Sequence, residues 1–378
     1  MKYYLIAGER SGDFHAAHLM HALKRHDAAA TFRCWGGDLM QAAGGELVHH
    51  YQDLSIMGFV EAATSVLKFR KYLKECEKDL INYQPDVLIL VDYAGFNMRV
   101  AKFAKALGIK VFYYISPKIW AWNTGRVEQV KARVDKMFVI LPFEEEFYQK
   151  HGYKVDYSGN PTADAVAEFV PTADFYARNQ LDPARPIIAV LPGSRKQEIE
   201  EMLHEMVAAL PPFQAYQFVV AGVDNLDRAY YAHFERNGIR FLFNQTYDLL
   251  AHARAALVTS GTATLETALF GVPQVVCYRT STLSYAIGKM VIQVPFISLV
   301  NLVAGREVVK ELIQNDFTSR NLVDELKKIF EDPATQQRIA EGYADVKAKL
   351  GQQQAAEKTA ALMVGYLRNQ EPQVLPQG

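Results

Sequence analysis

Residues 257–273, LVTSGTATLETALFGVP, decide how the rest of the chain is read. An apolar strand ends at Thr259, a Ser260-Gly261-Thr262 turn follows, and a helical pattern continues through Leu269 before the next apolar run, Gln274–Tyr278. A strand that returns through a helix to a second strand is the parallel βαβ unit, buried on both faces and therefore apolar without alternation. The same rhythm extends outward. In the second half it predicts further strands at Ile187–Leu191, Phe218–Ala221, Phe241–Phe243 and Ala256–Thr259. In the first half it predicts Tyr3–Ala7, Phe32–Trp35, Val87–Val91, Val111–Ile115 and Met137–Leu141. Between them the segment 170–186, VPTADFYARNQLDPARP, carries three prolines and no apolar period, which marks a linker. The expectation is an α/β protein of two doubly wound Rossmann-like domains, residues 1–170 and 186–350, facing across a cleft. A helix and polar tail, 351–378, follow.

Composition narrows the function. With 378 residues, half of them hydrophobic, the chain can bury two full cores. A net charge of -1 and no long run of like charge leave no general field for nucleic acid. Three scattered cysteines, Cys34, Cys76 and Cys277, lack metal-ligand spacing and fit a reducing, cytoplasmic compartment. No apolar run reaches the length of a membrane span, so membrane contact is expected to be peripheral.

Ligands of doubly wound sheets bind beyond the carboxyl ends of the strands, so residues just after strands are the site candidates. Ser260, Gly261 and Thr262 start a helix whose free N–H groups and dipole suit a diphosphate; Ser260 can cap it, and Glu266, one turn after Thr262, can accept from ribose hydroxyls. A second phosphate-type turn, Gly193-Ser194-Arg195, follows the first strand of the same half, where an arginine can neutralise a leaving diphosphate. An ordinary capped helix and a solvated arginine are the plainer alternatives.

In the first half, AGERSGD supplies Ser11, Gly12 and Asp13 in an order that is not the dinucleotide fingerprint, and Asp13 reads either as a helix cap or as a catalytic group. Asp92 ends a buried strand, where desolvation suits a general base. Ser116, Trp120 and Trp122 follow another strand, as packing residues or as a sugar platform. The segment 56–80 mixes Met57, Phe59, Val66 and Phe69 with Lys68, Arg70, Lys71 and Lys74; it reads as a basic amphipathic stretch for an anionic lipid surface, or as a packed helix with a wet face.

In order, AGERSGD, IMGFVE, VDYAGFN, SPKIWAW, ILPFEEEFY, GNPTAD, LPGSR and SGTATLE resemble the motif series of the lipid A disaccharide synthases, over about residues 3 to 315. The resemblance implies a GT-B fold. It also implies an inverting transfer of 2,3-diacylglucosamine from UDP to the 6-hydroxyl of 2,3-diacylglucosamine 1-phosphate, giving a β-1,6 disaccharide. Such enzymes are peripheral at the inner face of the inner membrane. On that basis Arg195, Ser260, Gly261, Thr262 and Glu266 hold UDP, and Asp13, Asp86 and Asp92 lie on the acceptor side. Where many members carry Asp-Phe-Asn, this chain has Gly95-Phe96-Asn97, so the base passes to another group: Asp92 first, Asp13 second. No Asp-x-Asp triplet is present, and a reaction without metal or cofactor is expected. A homodimer is compatible with this reading. A UDP-sugar 2-epimerase and a non-catalytic UDP-sugar-binding protein are the competing assignments.

Overall fold

The structure, a computed structural model, describes residues 1–55, 62–122, 124–194, 196–223, 228–235, 238–281, 285, 294–351 and 354–369. The chain divides into two compact units, Met1–Pro161 with Gln352–Gly378, and Thr162–Gly351.

The first unit is built on β1 (Lys2–Ala7), β2 (Thr31–Gly36), β3 (Gly45–His50), β4 (Val87–Val91), β5 (Lys110–Tyr114), β6 (Lys136–Val139) and β7 (Asp156–Tyr157). They form one parallel sheet in the order β3-β2-β1-β4-β5-β6-β7. Every side chain of β4 is buried, because helices cover both faces. On one face Leu19, Met20 and Leu23 of the helix Arg10–His26 pack against Leu5 and Ile89; on the other, Leu80, Phe96 and Val100 pack against Ile6 and Leu90.

The second unit repeats the plan with β8 (Ile187–Leu191), β9 (Gln217–Gly222), β10 (Arg240–Phe243), β11 (Ala253–Thr259), β12 (Gln274–Tyr278) and β13 (Lys310–Ile313), all parallel, in the order β10-β9-β8-β11-β12-β13. In each sheet the strand order reverses once, between β1 and β4 and between β8 and β11. The crevice at such a reversal is where open α/β sheets take ligands.

Three strands escape the apolar pattern. β3, β7 and β13 all sit at sheet edges, where one side of the strand meets solvent and sequences such as GELVHH and KELI need not be apolar throughout. The proposed linker also behaves differently: the Asp248 carboxylate accepts from the Thr172 amide (2.7 Å) and hydroxyl (2.9 Å). Phe175 and Leu181 are buried with Val219 and Leu249, so the proline-rich stretch is part of the second unit's core. The tail helix Ala355–Leu367 is not a separate appendage. Ala360, Met363 and Val364 enter the first unit's core beside the helix Arg10–His26, and Glu357 accepts from Arg25 Nε at 2.7 Å.

Candidate functional site

In the second unit, the helix Thr262–Leu269 starts directly from β11 with Gly261 as N-cap in extended conformation (φ 165) and no side-chain cap. Ser260 does not play the capping role expected from the sequence. Its hydroxyl donates to the Ile297 carbonyl at 2.8 Å and its amide to the Cys277 carbonyl at 2.9 Å, so it ties the turn to neighbouring chain. The helix start has no side-chain cap, and a Cβ added at Gly261 would meet nothing within 4 Å. Thr262 is exposed at this end, and Glu266 lies one turn on. Burial pushes the Glu266 carboxyl above the usual range, opposed by the Tyr247 hydroxyl, which donates to Oε1 at 3.0 Å.

The turn after β8 is more occupied. Gly193 has φ +117, and a Cβ there would come within 2.8 Å of Glu198 Oε2, to which the Ser194 amide donates at 3.2 Å. Glu198 was not singled out by sequence, although its place two residues into the helix Lys196–Ala208 is an ordinary one for an acidic side chain. Arg195 lies outside the described residues, as do Met57 and Phe59; Val66 and Trp122 are described by their backbone alone. Sequence reading also missed Glu311 on the edge strand β13. It accepts from the Ile297 amide (3.0 Å), the Ser298 amide (2.9 Å) and hydroxyl (2.6 Å), and Asn301 Nδ2 (2.9 Å), fixing the loop on which Ser260 rests.

In the first unit, Asp13 and Asp92 both lie at the carboxyl ends of adjacent strands, β1 and β4. Asp92 and Tyr93 are consecutive non-glycine residues in the left-handed region, φ +45 and +47. Such a pair costs a few kcal/mol, on the order of 1–3 per residue, and persists only where its surroundings impose it. They are imposed by Asn97 Nδ2 and the Tyr113 hydroxyl, which donate to the Asp92 carbonyl at 2.8 and 2.5 Å. Burial holds the Tyr113 hydroxyl far above its usual pKa, so it stays a donor. Gly8 is required in turn, since a Cβ there would lie 2.3 Å from the Tyr93 ring.

Asp13 is buried and caps neither its own helix nor a solvent-facing site. Its oxygens accept from the amides of Gly37 (2.7 Å), Leu39 (3.2 Å) and Met40 (3.1 Å), the start of the helix Asp38–Ala42. Both oxygens are thus engaged in holding that helix start. Gly12 lets the helix Arg10–His26 lie close on β1, a Cβ meeting that of Ala7 at 3.2 Å, and Ser11 is exposed beside it. Asp86 requires a correction. It precedes β4 and accepts from the Lys2 amide at 2.7 Å, so it sits at the amino end of the sheet, a strand's length from Asp92 and from the carboxyl end.

Ser116 and Trp120 are likewise corrected. Both are buried, and both donate to Glu144 Oε1, Trp120 Nε1 at 3.0 Å, while the Ile140 and Leu141 amides donate to Oε2 at 3.1 and 2.9 Å. Burial raises the Glu144 carboxyl and these four bonds oppose it. The cluster welds the loops after β5 and β6; it does not offer a sugar platform. Phe69 also turns inward, meeting Phe96 edge-on at 5.7 Å, whereas Lys68 and Arg70 are exposed. Among the described residues no helix is long and apolar enough to cross a membrane.

Solved structures of the same fold include the UDP-GlcNAc 2-epimerase of Neisseria meningitidis bound to UDP-GlcNAc and the calicheamicin glycosyltransferase CalG4. The first has a TM-score of 0.69 and 12% identity, covering 98% of this chain and 100% of that one. The second has a TM-score of 0.60 and 16% identity, covering 99% of each. The fold is therefore the GT-B type shared by glycosyltransferases and UDP-sugar epimerases. Sequence separates these: a profile of the family described as Lipid-A-disaccharide synthetase matches residues 3–364. The lipid-A-disaccharide synthase of Myxococcus xanthus is 38% identical over 374 residues, 96% of this chain and 97% of its own length. That of Geobacter metallireducens is 36% identical over 370 residues, 96% of each. The chain belongs to the lipid-A-disaccharide synthase family.

Proposed function

We propose that the chain condenses UDP-2,3-diacylglucosamine with 2,3-diacylglucosamine 1-phosphate to give the β-1,6-linked lipid A disaccharide and UDP. UDP lies on the second unit, its diphosphate at the uncapped start of the helix Thr262–Leu269 and its ribose hydroxyls on Glu266. The acceptor lies on the first unit. The 6-hydroxyl oxygen attacks the anomeric carbon of the donor, the bond from that carbon to the β-phosphate oxygen breaks with its electron pair leaving on UDP, and the hydroxyl proton passes to Asp92. Attack from the face opposite UDP inverts the anomeric centre, and no sugar–protein bond forms.

The observation that carries this reading is the strained Asp92–Tyr93 pair at the β1/β4 reversal, imposed by two buried donors. Gly95 leaves the position used by many relatives without a carboxylate, which gives Asp92 its role. The same reading sets the enzyme on the inner face of the inner membrane, where both acylated substrates reside. Purified protein incubated with both substrates should yield a lipid of the mass of the monophosphorylated tetraacyl disaccharide, together with UDP. Binding of UDP without disaccharide at several acyl lengths would overturn the proposal and favour a protein that only holds UDP-sugars.

A further inference from the structure

Three carboxylates described above differ in how fully their oxygens are used. Glu144 accepts from four donors, and so does Glu311. Glu266 accepts from one among the described residues, the Tyr247 hydroxyl, at Oε1. A carboxylate has about four acceptor positions, so Glu266 keeps about three that no protein donor fills. Burying a carboxylate on a single bond is unfavourable for a group that only holds the fold together, and it fits one whose other partners arrive with a ligand.

The one protein donor is held in place from two sides. Tyr247 belongs to the helix Thr246–His252, between β10 and β11. Its ring meets Phe169 at 5.5 Å and 90° and Phe270 at 5.2 Å and 67°, and the two phenylalanines meet each other at 5.8 Å. Edge-to-face contacts of this kind fix the plane of a ring. Phe270 follows Glu266 by one turn, its amide donating to the Glu266 carbonyl at 3.0 Å, so ring and carboxylate share one side of the helix. A ring clamped in this way has little freedom to swing its hydroxyl off Oε1. Burial first, and the Glu266 charge second, hold that hydroxyl well above the ordinary tyrosine value, so it remains a donor.

We propose that Tyr247 is a positioning residue for the nucleotide: by occupying Oε1 from a clamped ring, it fixes the Glu266 carboxylate so that Oε2 is presented to the ribose hydroxyls of the UDP-sugar. The inference rests on the function proposed above and deepens it, adding a residue that acts through Glu266 and touches neither substrate. Burial and the Tyr247 hydroxyl are the two influences on the Glu266 carboxyl, and they oppose one another. No other titratable side chain bonds Glu266 among the described residues. The tyrosine therefore also favours the ionised form, which accepts from both hydroxyls.

The test is Tyr247→Phe, which keeps the ring and its aromatic contacts, with binding of uridine and 2′,3′-dideoxyuridine followed by calorimetry across pH. The parent should bind uridine about tenfold or more tighter than the dideoxy analogue. Tyr247→Phe should lose most of that difference and leave the dideoxyuridine affinity unchanged. It should also move the rise of uridine affinity to higher pH, because the bond that opposes desolvation is gone. In transfer, the donor KM should rise and the acceptor KM stay as it was. In a Glu266→Ala background, adding Tyr247→Phe should cost uridine nothing further, since no carboxylate remains to be positioned. An equal loss in both backgrounds would overturn the proposal and leave Tyr247 a packing residue. Uridine affinity and pH dependence unchanged in the single variant would overturn it as well, with the ribose still on Glu266. A parent that bound the two nucleosides alike would instead remove the ribose from Glu266, and this inference with it, whether or not the enzyme forms disaccharide.

Discussion

Asn97 reaches back five residues to donate from Nδ2 to the carbonyl of Asp92 at 2.8 Å, with a second, longer bond to the Val91 carbonyl at 3.2 Å. It thereby closes the turn in which Asp92 and Tyr93 take left-handed backbone conformations. Asn97 is fully buried, so its amide has been withdrawn from water for this purpose. Asn97→Ala should lower kcat by at least about tenfold and stability by about 1–3 kcal/mol, the scale of unsatisfied buried carbonyls. Thermal unfolding and kinetics on the same preparation separate the two effects; full activity would show that the turn holds its form without Asn97.

Asp92→Asn keeps size and removes the proton acceptor. Turnover should fall by roughly a hundredfold or more, the scale of a lost general base, while UDP binding stays near normal. Titration calorimetry with UDP beside turnover measurement checks both halves, and surviving turnover would take the base role from Asp92.

Gly95 stands in the first turn of the helix Ala94–Ala106, and a Cβ there meets nothing within 4 Å. Gly95→Asp should therefore fold, and should stabilise the protein by about 0.5–1 kcal/mol through helix propensity and the N-terminal dipole. In an Asp92→Asn background it should restore part of the turnover by returning a carboxylate to the start of this helix. A loss of thermal stability would contradict the open space seen here.

Gly261→Ala tests the diphosphate site. The backbone is extended there, and the added methyl has room, so unfolding should shift by no more than about 0.5 kcal/mol. The methyl projects into the space before the helix start, and UDP affinity should drop about tenfold, as measured by calorimetry.

The raised Glu266 carboxyl gives a pH dependence of definite sign. Ribose hydroxyls donate best to the ionised form, so uridine affinity should rise with pH through the raised value and decline below it. Stability of the ligand-free protein runs the other way: the contribution of the raised group is fully present below its unfolded value and lost as pH rises through the folded one. Glu266→Gln should flatten both profiles above the ordinary carboxylate range, with uridine chosen because it has no phosphate to titrate.

Much of this was written along the chain itself. The buried strands Val87–Val91, Ile187–Leu191 and Gln274–Tyr278 fall where apolar runs predict them, because central parallel strands are apolar on both faces. The residues that follow β1, β4, β8 and β11 stand out as site candidates on a related ground: doubly wound sheets use their carboxyl ends. Edge strands such as β13, and with it Glu311, gave no comparable signal.

Sequence by itself determined the fold class, the family and which turns stand at the carboxyl ends of the strands, since these depend on local periodicity and on motif order. Only the tertiary structure decided what each polar side chain does there. Asp13 caps the helix Asp38–Ala42 across 24 residues or more of chain, Ser116 and Trp120 converge on Glu144, Asp86 lies at the wrong end of its strand, and the tail helix completes the first core. A carboxylate, hydroxyl or indole bonds whatever donor or acceptor folding brings within about 3 Å, and no spacing along the chain states which partner that will be.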